Sequence, residues 1–175
     1  PWPAARARPQ KEAIPMNTTV RWKPNVTVAA VIEREGRFLL VEEHTEQGLR
    51  LNTPAGHLDP GESPAEGCAR EALEETAHAF TPTALIGIYL ARSADDPDVT
   101  YMRFAFSGEL GEREAGRALD TGIVRTLWMT ADEIRASVAW HRSPLLLQCI
   151  EDHLAGQRHP LDLIHVDDSV RQKPR

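Results

Sequence analysis

Cysteine is scarce in this chain of 175 residues: Cys68 and Cys149 are its only two, and they lie far apart. Two cysteines at this separation form neither a metal-ligand pair nor a disulfide framework. We therefore predict that both are reduced and pack in the protein interior.

Basic residues and long apolar runs are scarce as well. Acidic residues outnumber Lys and Arg by 26 to 20, for a net charge of −6. This balance disfavours broad binding to nucleic acid or to an anionic membrane. No apolar run approaches transmembrane length, and the first residues lack the apolar core of a secretory signal. We therefore expect a cytoplasmic protein, monomer or homodimer, whose partner is a small phosphorylated molecule.

The composition favours one folded domain. A chain of this length with 41% hydrophobic residues buries a single full core. Its beginning is rich in Pro, Ala and Arg without periodicity, which is typical of disorder. We predict a flexible arm over residues 1–20, a domain over 21–165 and a tail over 166–175.

Strand and helix patterns alternate along that domain. Runs rich in apolar and β-branched residues predict strands at 26–32, 38–41, 85–91, 102–106 and 123–129. The first two are expected to form a hairpin across the Glu35-Gly36 turn. Capping signals predict helices that begin near Pro64, after Thr130 and after Ser143. Strands flanked by helices in mixed order predict an α/β sandwich, with a sheet covered on both faces.

The helix near Pro64 carries an unusual acidic cluster. Ser63 is a favoured N-cap, Pro64 suits the first helical position, and Glu66 completes a capping box. Three further glutamates share one face of the helix at i, i+3 and i+4, namely Glu71, Glu74 and Glu75. Like charges at this spacing destabilise a helix, and a divalent cation would remove their repulsion. The alternative is an acidic face exposed to solvent.

Gly56, Glu62 and Arg70 stand at fixed distances before these glutamates. With them, segment 56–78 resembles the signature of the Nudix hydrolase family, G-x5-E-x7-R-E-U-x-E-E-x-G-U, where U is aliphatic. Six required positions match: Gly56, Glu62, Arg70, Glu71, Glu74 and Glu75. Ala72, Ala77 and His78 depart from it, and Ala77 replaces the glycine that ends the helix. The resemblance implies the Nudix fold, an α/β/α sandwich with a mixed β-sheet.

The resemblance also implies a metal centre. It makes Glu71, Glu74 and Glu75 the metal ligands, with the Gly56 carbonyl as a further one. The expected metal is Mg²⁺, with Mn²⁺ as the alternative. Arg70, paired with Glu62, would orient these carboxylates, whereas the alternative for Arg70 is an ion pair on the helix surface.

The base that activates the attacking water varies across the family. Glu71 is the first candidate, and Asp120 and Glu112 are the candidates on distant loops. Asp120 precedes a predicted strand, so a turn role is an equally good interpretation.

Flanking segments extend the resemblance over about residues 21–164, to a bacterial phosphatase-type subgroup. It implies release of orthophosphate from hydroxymethylpyrimidine pyrophosphate, thiamin pyrophosphate and nucleoside tri- and diphosphates. The alternative is a pyrophosphohydrolase acting on ADP-ribose, other nucleoside-diphosphate sugars or dinucleotides. A non-catalytic nucleotide-binding module is a weaker alternative, because such modules are expected to lose the carboxylates that this chain keeps.

Four residues are candidates for substrate contact by their location. Arg103 could hold a phosphate and Tyr101 could stack on a base. His44 and Asn52 flank the presumed cleft. The alternatives are an exposed arginine at 103, a core aromatic at 101, and a structural or exposed histidine at 44.

Overall fold

The computed structural model describes residues 21–172, so the predicted arm at 1–20 and the last residues of the predicted tail lie outside the described residues. The strands are β1 Asn25–Val31, β2 Glu33–Arg34, β3 Arg37–Thr45, β4 Gly48–Asn52, β5 Ala55–His57, β6 His78–Arg92, β7 Thr100–Arg113 and β8 Ile123–Thr130. The α-helices are α1 Pro64–Thr76, α2 Ala131–Ala136 and α3 Leu145–Leu154. Short 3-10 helices cover Val138–Trp140, Leu161–Leu163 and Asp168–Arg171.

The first sheet has the strand order β5-β1-β7-β6. Strands β1 and β7 run parallel, while β5 pairs with β1 and β6 pairs with β7 in antiparallel fashion. The sheet is therefore mixed, as predicted. Its central strand β1 is apolar from Val28 onward and buried, because both of its faces are covered.

The second sheet is built on β3, which pairs with β2, β4 and β8. The predicted hairpin is wrong in one respect. The Glu35-Gly36 turn is present, with positive φ at both residues, but it joins β3 to the two-residue strand β2. Strand β1 instead belongs to the first sheet, where β5 and β7 provide its hydrogen-bond partners.

Helices cover both faces of the first sheet. On one face, Cys68 and Ala72 of α1 pack in a core with Val28, Ala30 and Phe106. On the other face, Cys149 and Ile150 of α3 pack with other apolar side chains of the sheet, including Ala29 and Ala105. Because neighbouring residues of a strand point to opposite faces, β1 supplies both cores. The predicted α/β/α arrangement is confirmed.

Strands β6 and β7 extend beyond their predicted ranges of 85–91 and 102–106. They pair along nearly their whole length, with register shifts near Phe80, Pro82 and Leu85. These irregularities break the alternation of apolar and polar residues, so the sequence pattern predicted both strands to be shorter than they are. Both cysteines are buried and free, as predicted. Among residues 21–172, no helix has the length and apolar character needed to cross a membrane.

Candidate active site

Helix α1 begins as its capping motif predicts. The Ser63 hydroxyl accepts a hydrogen bond from the Glu66 amide at 3.2 Å, and the Glu66 carboxylate accepts one from the Ser63 amide at 2.7 Å. The helix ends at Thr76, and Ala77 follows in the left-handed conformation with φ of 58°. The missing glycine therefore does not let the helix run on, although alanine in this conformation costs about 1 kcal/mol.

Arg70 lies at the centre of the acidic face of α1. Its Nε and Nη2 donate to both carboxylate oxygens of Glu62, at 3.0 and 2.7 Å. Its Nη1 donates to Glu71 at 2.7 Å and to Glu74 at 3.1 Å, and Nη2 also donates to the His57 carbonyl at 2.9 Å. Arg70 holds the pKa of Glu62 below its usual value. This fork fixes three carboxylates at once, which a lysine does not do.

Glu75 is buried to the same extent as Glu71 and lies near the end of α1. One carboxylate oxygen accepts a hydrogen bond from the Ala55 amide at 2.8 Å, which ties the end of α1 to β5. Burial raises the pKa of Glu75 to about 8, against the Ala55 hydrogen bond. The negative charges of Glu43, Glu71 and Asp120 raise it further. The Glu75 carboxylate is thus poorly solvated and lies close to other negative charges.

Glu71 faces the backbone of β5. A Cβ atom on Gly56 would overlap the Glu71 carboxylate, so the glycine makes room for that side chain. Burial raises the pKa of Glu71, and the Arg70 contact opposes this shift. The charges of Glu74 and Asp120 also raise the pKa.

The donor set suits a hard divalent cation. Carboxylate oxygens and the Gly56 carbonyl are ligands that Mg²⁺ or Mn²⁺ prefers, and they lie where neighbouring negative charges raise two pKa values. Within residues 21–172, however, no three Asp, Glu, His or Cys side chains converge as a ready-made metal site. Arg70 binds Glu71 and Glu74, while Glu75 is bonded to Ala55. The chemistry of the donors therefore fits such a cation, while their oxygens are hydrogen-bonded within the protein in this structure.

The two loop candidates for the base lie in different places. The Asp120 amide donates to the Glu74 carbonyl at 2.9 Å, and the Asp120 charge acts on both Glu71 and Glu75. Its side chain also accepts from the Thr121 amide at 2.8 Å, as a turn residue does. The prediction that Glu112 lies on a loop is wrong, because β7 continues to Arg113 and includes it. Glu112 is exposed there and, among the described residues, makes no hydrogen bond or ion pair with the glutamates.

Glu43, which the sequence reasoning missed, joins this region from β3. Its carboxylate accepts from the Asn52 amide nitrogen at 3.1 Å and from Arg142 at 2.9 Å. Its charge contributes to the raised pKa of Glu75. Glu43 stands among other glutamates at the end of an apolar strand, and only its pairing register distinguishes it from them.

A cavity of about 170 Å³ opens on the other side of β5. Arg103, Tyr101 and Asn52 line it, as does the missed residue Thr27. Arg103 is only 7% exposed, so the alternative of an exposed arginine is wrong. Tyr101 lies at the cavity with its ring 6.1 Å from that of His57, and is not a core residue.

His44 lies outside this cavity. It is an exposed residue of β3 whose amide donates to the Gly122 carbonyl at 2.9 Å. Its environment matches the alternative of an exposed histidine. The structure therefore brings three of the four candidate contact residues together and leaves His44 apart.

Comparison with known proteins agrees with this geometry. Residues 22–149 match the family model of the NUDIX domain. The chain is 38% identical over 144 residues to Phosphatase NudJ of Escherichia coli, covering 82% of this chain and 92% of the relative. A NUDIX hydrolase structure from Nitrosomonas europaea is 54% identical, with a TM-score of 0.80 over 83% of this chain and 99% of that one. An ADP-ribose pyrophosphatase from Streptococcus suis, 21% identical with a TM-score of 0.54 over 75% of this chain and 92% of its own, shares the fold alone.

The fold and these relatives define a hydrolase that acts on pyrophosphate bonds. The chain belongs to the Nudix hydrolase family. Enzymes of this family act on small phosphorylated substrates and generally use divalent metal ions such as Mg²⁺. The implied Nudix fold is confirmed.

Proposed function

We propose that this enzyme is a Mg²⁺-dependent phosphatase of small pyrophosphates in the cytoplasm. Its substrates would be hydroxymethylpyrimidine pyrophosphate, thiamin pyrophosphate and nucleoside tri- and diphosphates, from which it would release orthophosphate. The observation that carries the proposal is the 38% identity to Phosphatase NudJ, which extends over nearly the whole of both chains.

Helix α1 and β5 supply the groups that would hold the cation. Glu71 and Glu75 are the principal ligands in this proposal, with Glu74 and the Gly56 carbonyl as further ligands. Support comes from their burial beside one another and from the close approach of Glu71 to Gly56. Arg70, anchored on Glu62, would set the direction of the Glu71 and Glu74 carboxylates.

The hydrolysis needs a base and a way to stabilise phosphate charge. Glu71, Glu75, Glu74 and the Gly56 carbonyl would hold a divalent cation, whose positive charge would offset the negative charge of the phosphate oxygens and lower the pKa of the attacking water. Glu71, our first candidate for the base, accepts one proton from that water. The water oxygen forms a bond to the terminal phosphorus, and the bond from that phosphorus to the bridging oxygen breaks. The bridging oxygen leaves with the remaining phosphate.

Glu71 is favoured as the base for a physical reason. It is buried against Gly56 among the carboxylates that would hold the cation, which places it beside the water that such a cation would bind. Asp120 is the second candidate because its charge acts on Glu71 and Glu75 from the neighbouring loop. Glu112 is the third.

The cavity beside β5 would receive the rest of the substrate. Arg103, Tyr101 and Asn52 line it, and it shares Gly56 with the proposed metal site. A substrate that crosses β5 would thus present its phosphates to α1 and its other end to the cavity. His44 has the weakest claim to substrate contact, since it lies outside the cavity.

Orthophosphate release tests the proposal. The panel comprises hydroxymethylpyrimidine pyrophosphate, thiamin pyrophosphate, ATP, ADP and ADP-ribose, each with Mg²⁺ and with EDTA. We expect direct, Mg²⁺-dependent release from the first four. Phosphate that appears only when a second phosphatase digests the ADP-ribose products would instead identify a nucleoside-diphosphate-sugar hydrolase. No turnover of any substrate would indicate the binding module.

Glu75→Gln provides the site-directed arm of this test. It keeps the shape and removes the charge, so turnover should fall by a factor on the order of 1000. Mg²⁺ should raise the thermal midpoint of the wild type and leave that of the variant unchanged. Glu46→Gln, on an exposed turn, is the matched control. Turnover of Glu75→Gln near that of the wild type would refute the assignment.

A further inference from the structure

The floor of the cavity is a row of side chains on one face of the first sheet. Thr27 of β1 is paired with His57 on one side and with Arg103 on the other. Paired residues of adjacent strands point to the same face, so the three side chains share that face. Residues 91–95 and residues 142–145, which lead into α3, also line the cavity.

Three residues of this cavity carry buried polar atoms without a hydrogen-bond partner among the described residues. They are Nε and Nη1 of Arg103, Oγ1 of Thr27 and Oδ1 of Asn52. Native proteins rarely leave buried polar groups unsatisfied. Because all three residues line one cavity, a molecule inside it is the natural partner.

Arg103 forms no ion pair with any residue between 21 and 172. The neighbouring Cys149 is a neutral thiol, since burial raises its pKa to about 11 in spite of the Arg103 charge. The nearby Glu43 already accepts hydrogen bonds from Asn52 and Arg142, one on each oxygen. A buried and unpaired guanidinium is costly to folding, so its donors are available for a ligand that accepts hydrogen bonds.

Asn52 contributes the opposite kind of group. Its amide nitrogen donates to Glu43 at 3.1 Å, which fixes the orientation of the side chain. The free Oδ1 is therefore an acceptor that requires a donor from the ligand. Two further arginines line the cavity, but Arg142 already pairs with Glu43 and Arg92 is exposed. A fully ionised phosphate offers no donor to the Asn52 Oδ1 atom, so the cavity favours a group that carries an acceptor and a donor together.

We infer that this cavity recognises the head group of the substrate, a neutral nitrogen heterocycle whose edge presents a hydrogen-bond acceptor beside an N–H donor. Arg103 meets the acceptor, Asn52 meets the donor, and the Thr27 hydroxyl bonds to either. The volume of about 170 Å³ lies below the roughly 300 Å³ at which pockets for whole ligands begin, so the cavity suits one part of the substrate, with the phosphates at the proposed metal site. This inference rests on the proposed function for the position of those phosphates. In this inference Arg103 contacts the head group, whereas the sequence suggested that it could hold a phosphate.

Binding of small heterocycles without metal tests the subsite directly. 4-Aminopyrimidine carries an acceptor and an adjacent donor, whereas 4-methylpyrimidine keeps the acceptor and lacks the donor. In NMR titrations at pH 7.5, the wild type should bind 4-aminopyrimidine roughly 10-fold more tightly than 4-methylpyrimidine. Asn52→Leu should abolish this difference. Equal affinity of the wild type for both compounds would overturn the inference.

A kinetic comparison separates the head group from the phosphates. CDP carries a heterocycle, and inorganic tripolyphosphate carries none. Asn52→Leu, Thr27→Val and Arg103→Met should each lower kcat/KM for CDP by roughly 10-fold to 100-fold, mainly through KM. Tripolyphosphate hydrolysis should change less than about threefold. An equal loss on both substrates would show a role in phosphate binding or in folding, and would overturn the inference.

The controls keep the two proposals apart. Arg125→Met removes an exposed arginine that pairs with Glu42 on the second sheet, and it should leave both activities unchanged. Thr27→Val preserves side-chain shape, so it tests the subsite even where Arg103→Met does not fold. A wild type that binds 4-aminopyrimidine selectively but hydrolyses no pyrophosphate would sustain the subsite and refute the proposed function.

Discussion

Glu71 rests against Gly56, in space that a single methyl group at position 56 would fill. Gly56→Ala should therefore displace the Glu71 carboxylate and lower kcat by roughly 10-fold to 100-fold, with a weaker apparent affinity for Mg²⁺. Activity measured against Mg²⁺ concentration checks this. Gly111→Ala is the control, because its Cβ would meet only Ala79, at 3.2 Å. Unchanged Mg²⁺ dependence in Gly56→Ala would show that this approach has no part in the site.

Arg70 should not tolerate lysine. Arg70→Lys keeps the charge and loses the fork that holds Glu62, Glu71 and Glu74. We expect kcat to fall roughly 10-fold or more and the free energy of unfolding to fall by about 1 to 3 kcal/mol. Steady-state kinetics and urea unfolding measure the two effects.

Arg135→Lys is the comparison for Arg70→Lys. Arg135 binds Glu151 and Asp132 through a similar fork, but on an exposed surface. Its replacement should lower the free energy of unfolding much less than Arg70→Lys does, because solvent screens an exposed ion pair, and it should leave kcat unchanged. Equal losses in the two variants would mean that Arg70 forms an ordinary surface ion pair, the alternative considered from the sequence.

Replacing each of the three base candidates should lower kcat by an amount that depends on how close the residue lies to the proposed metal site. At saturating Mg²⁺, Glu71→Gln should lower kcat by a factor on the order of 1000, and Asp120→Asn by roughly 10-fold. Glu112→Gln should have the smallest effect, since Glu112 is exposed on β7. The acidic limb of the kcat profile against pH should disappear with the true base. Its disappearance in Asp120→Asn alone would transfer the role to Asp120.

The buried His153 makes stability depend on pH. Burial lowers its pKa, against the hydrogen bond with Glu33 at 2.8 Å, and the Arg158 charge lowers it further. The unfolded chain therefore takes up this proton at higher pH, near 6.5. As pH falls through that value, the unfolded state binds more protons and the free energy of unfolding decreases. The decrease ends once the folded protein is also protonated.

Replacing His153 should flatten this dependence. Glu75, whose raised pKa makes the fold gain stability as pH falls through this range, contributes equally to the wild type and to the variant. In urea unfolding between about pH 7.5 and pH 5, the free energy of unfolding of His153→Gln should therefore fall less, or rise more, than that of the wild type. His165→Gln, at an exposed position, should retain the wild-type slope. A wild-type slope in His153→Gln would show that other groups cause the pH dependence.

The sequence predicted α1 well because its signals are local. Ser63, Pro64 and Glu66 fix its start, and the spacing of the glutamates fixes its acidic face. Its end was left open, since Ala77 adopts a conformation that a sequence normally marks with glycine. Tertiary packing supplies what the local sequence lacks: Ala77 is fully buried, and its carbonyl accepts from the Glu114 amide at 2.7 Å.

The cavity was harder to predict because no local pattern encodes it. Thr27, Asn52 and Arg103 come from three strands in two sheets, and only the pairing register brings them together. The same holds for Glu43, whose neighbours are set by β3 pairing with β4. The hairpin prediction was wrong for a related reason, because a turn specifies two residues of pairing and leaves the rest of each strand open to other partners.

Strand β5 is three residues long, with Gly56 turned to the glutamates of α1 while Ala55 and His57 face the cavity. The α1 side and the cavity side of β5 are formed largely by different parts of the chain. Residues 91–95 and 142–145, which supply about half of the cavity lining, lie far in sequence from segment 56–75. Mutation can therefore diversify the compounds that such an enzyme accepts while its hydrolytic segment stays constant, and gene duplicates can acquire new substrates without passing through an inactive intermediate.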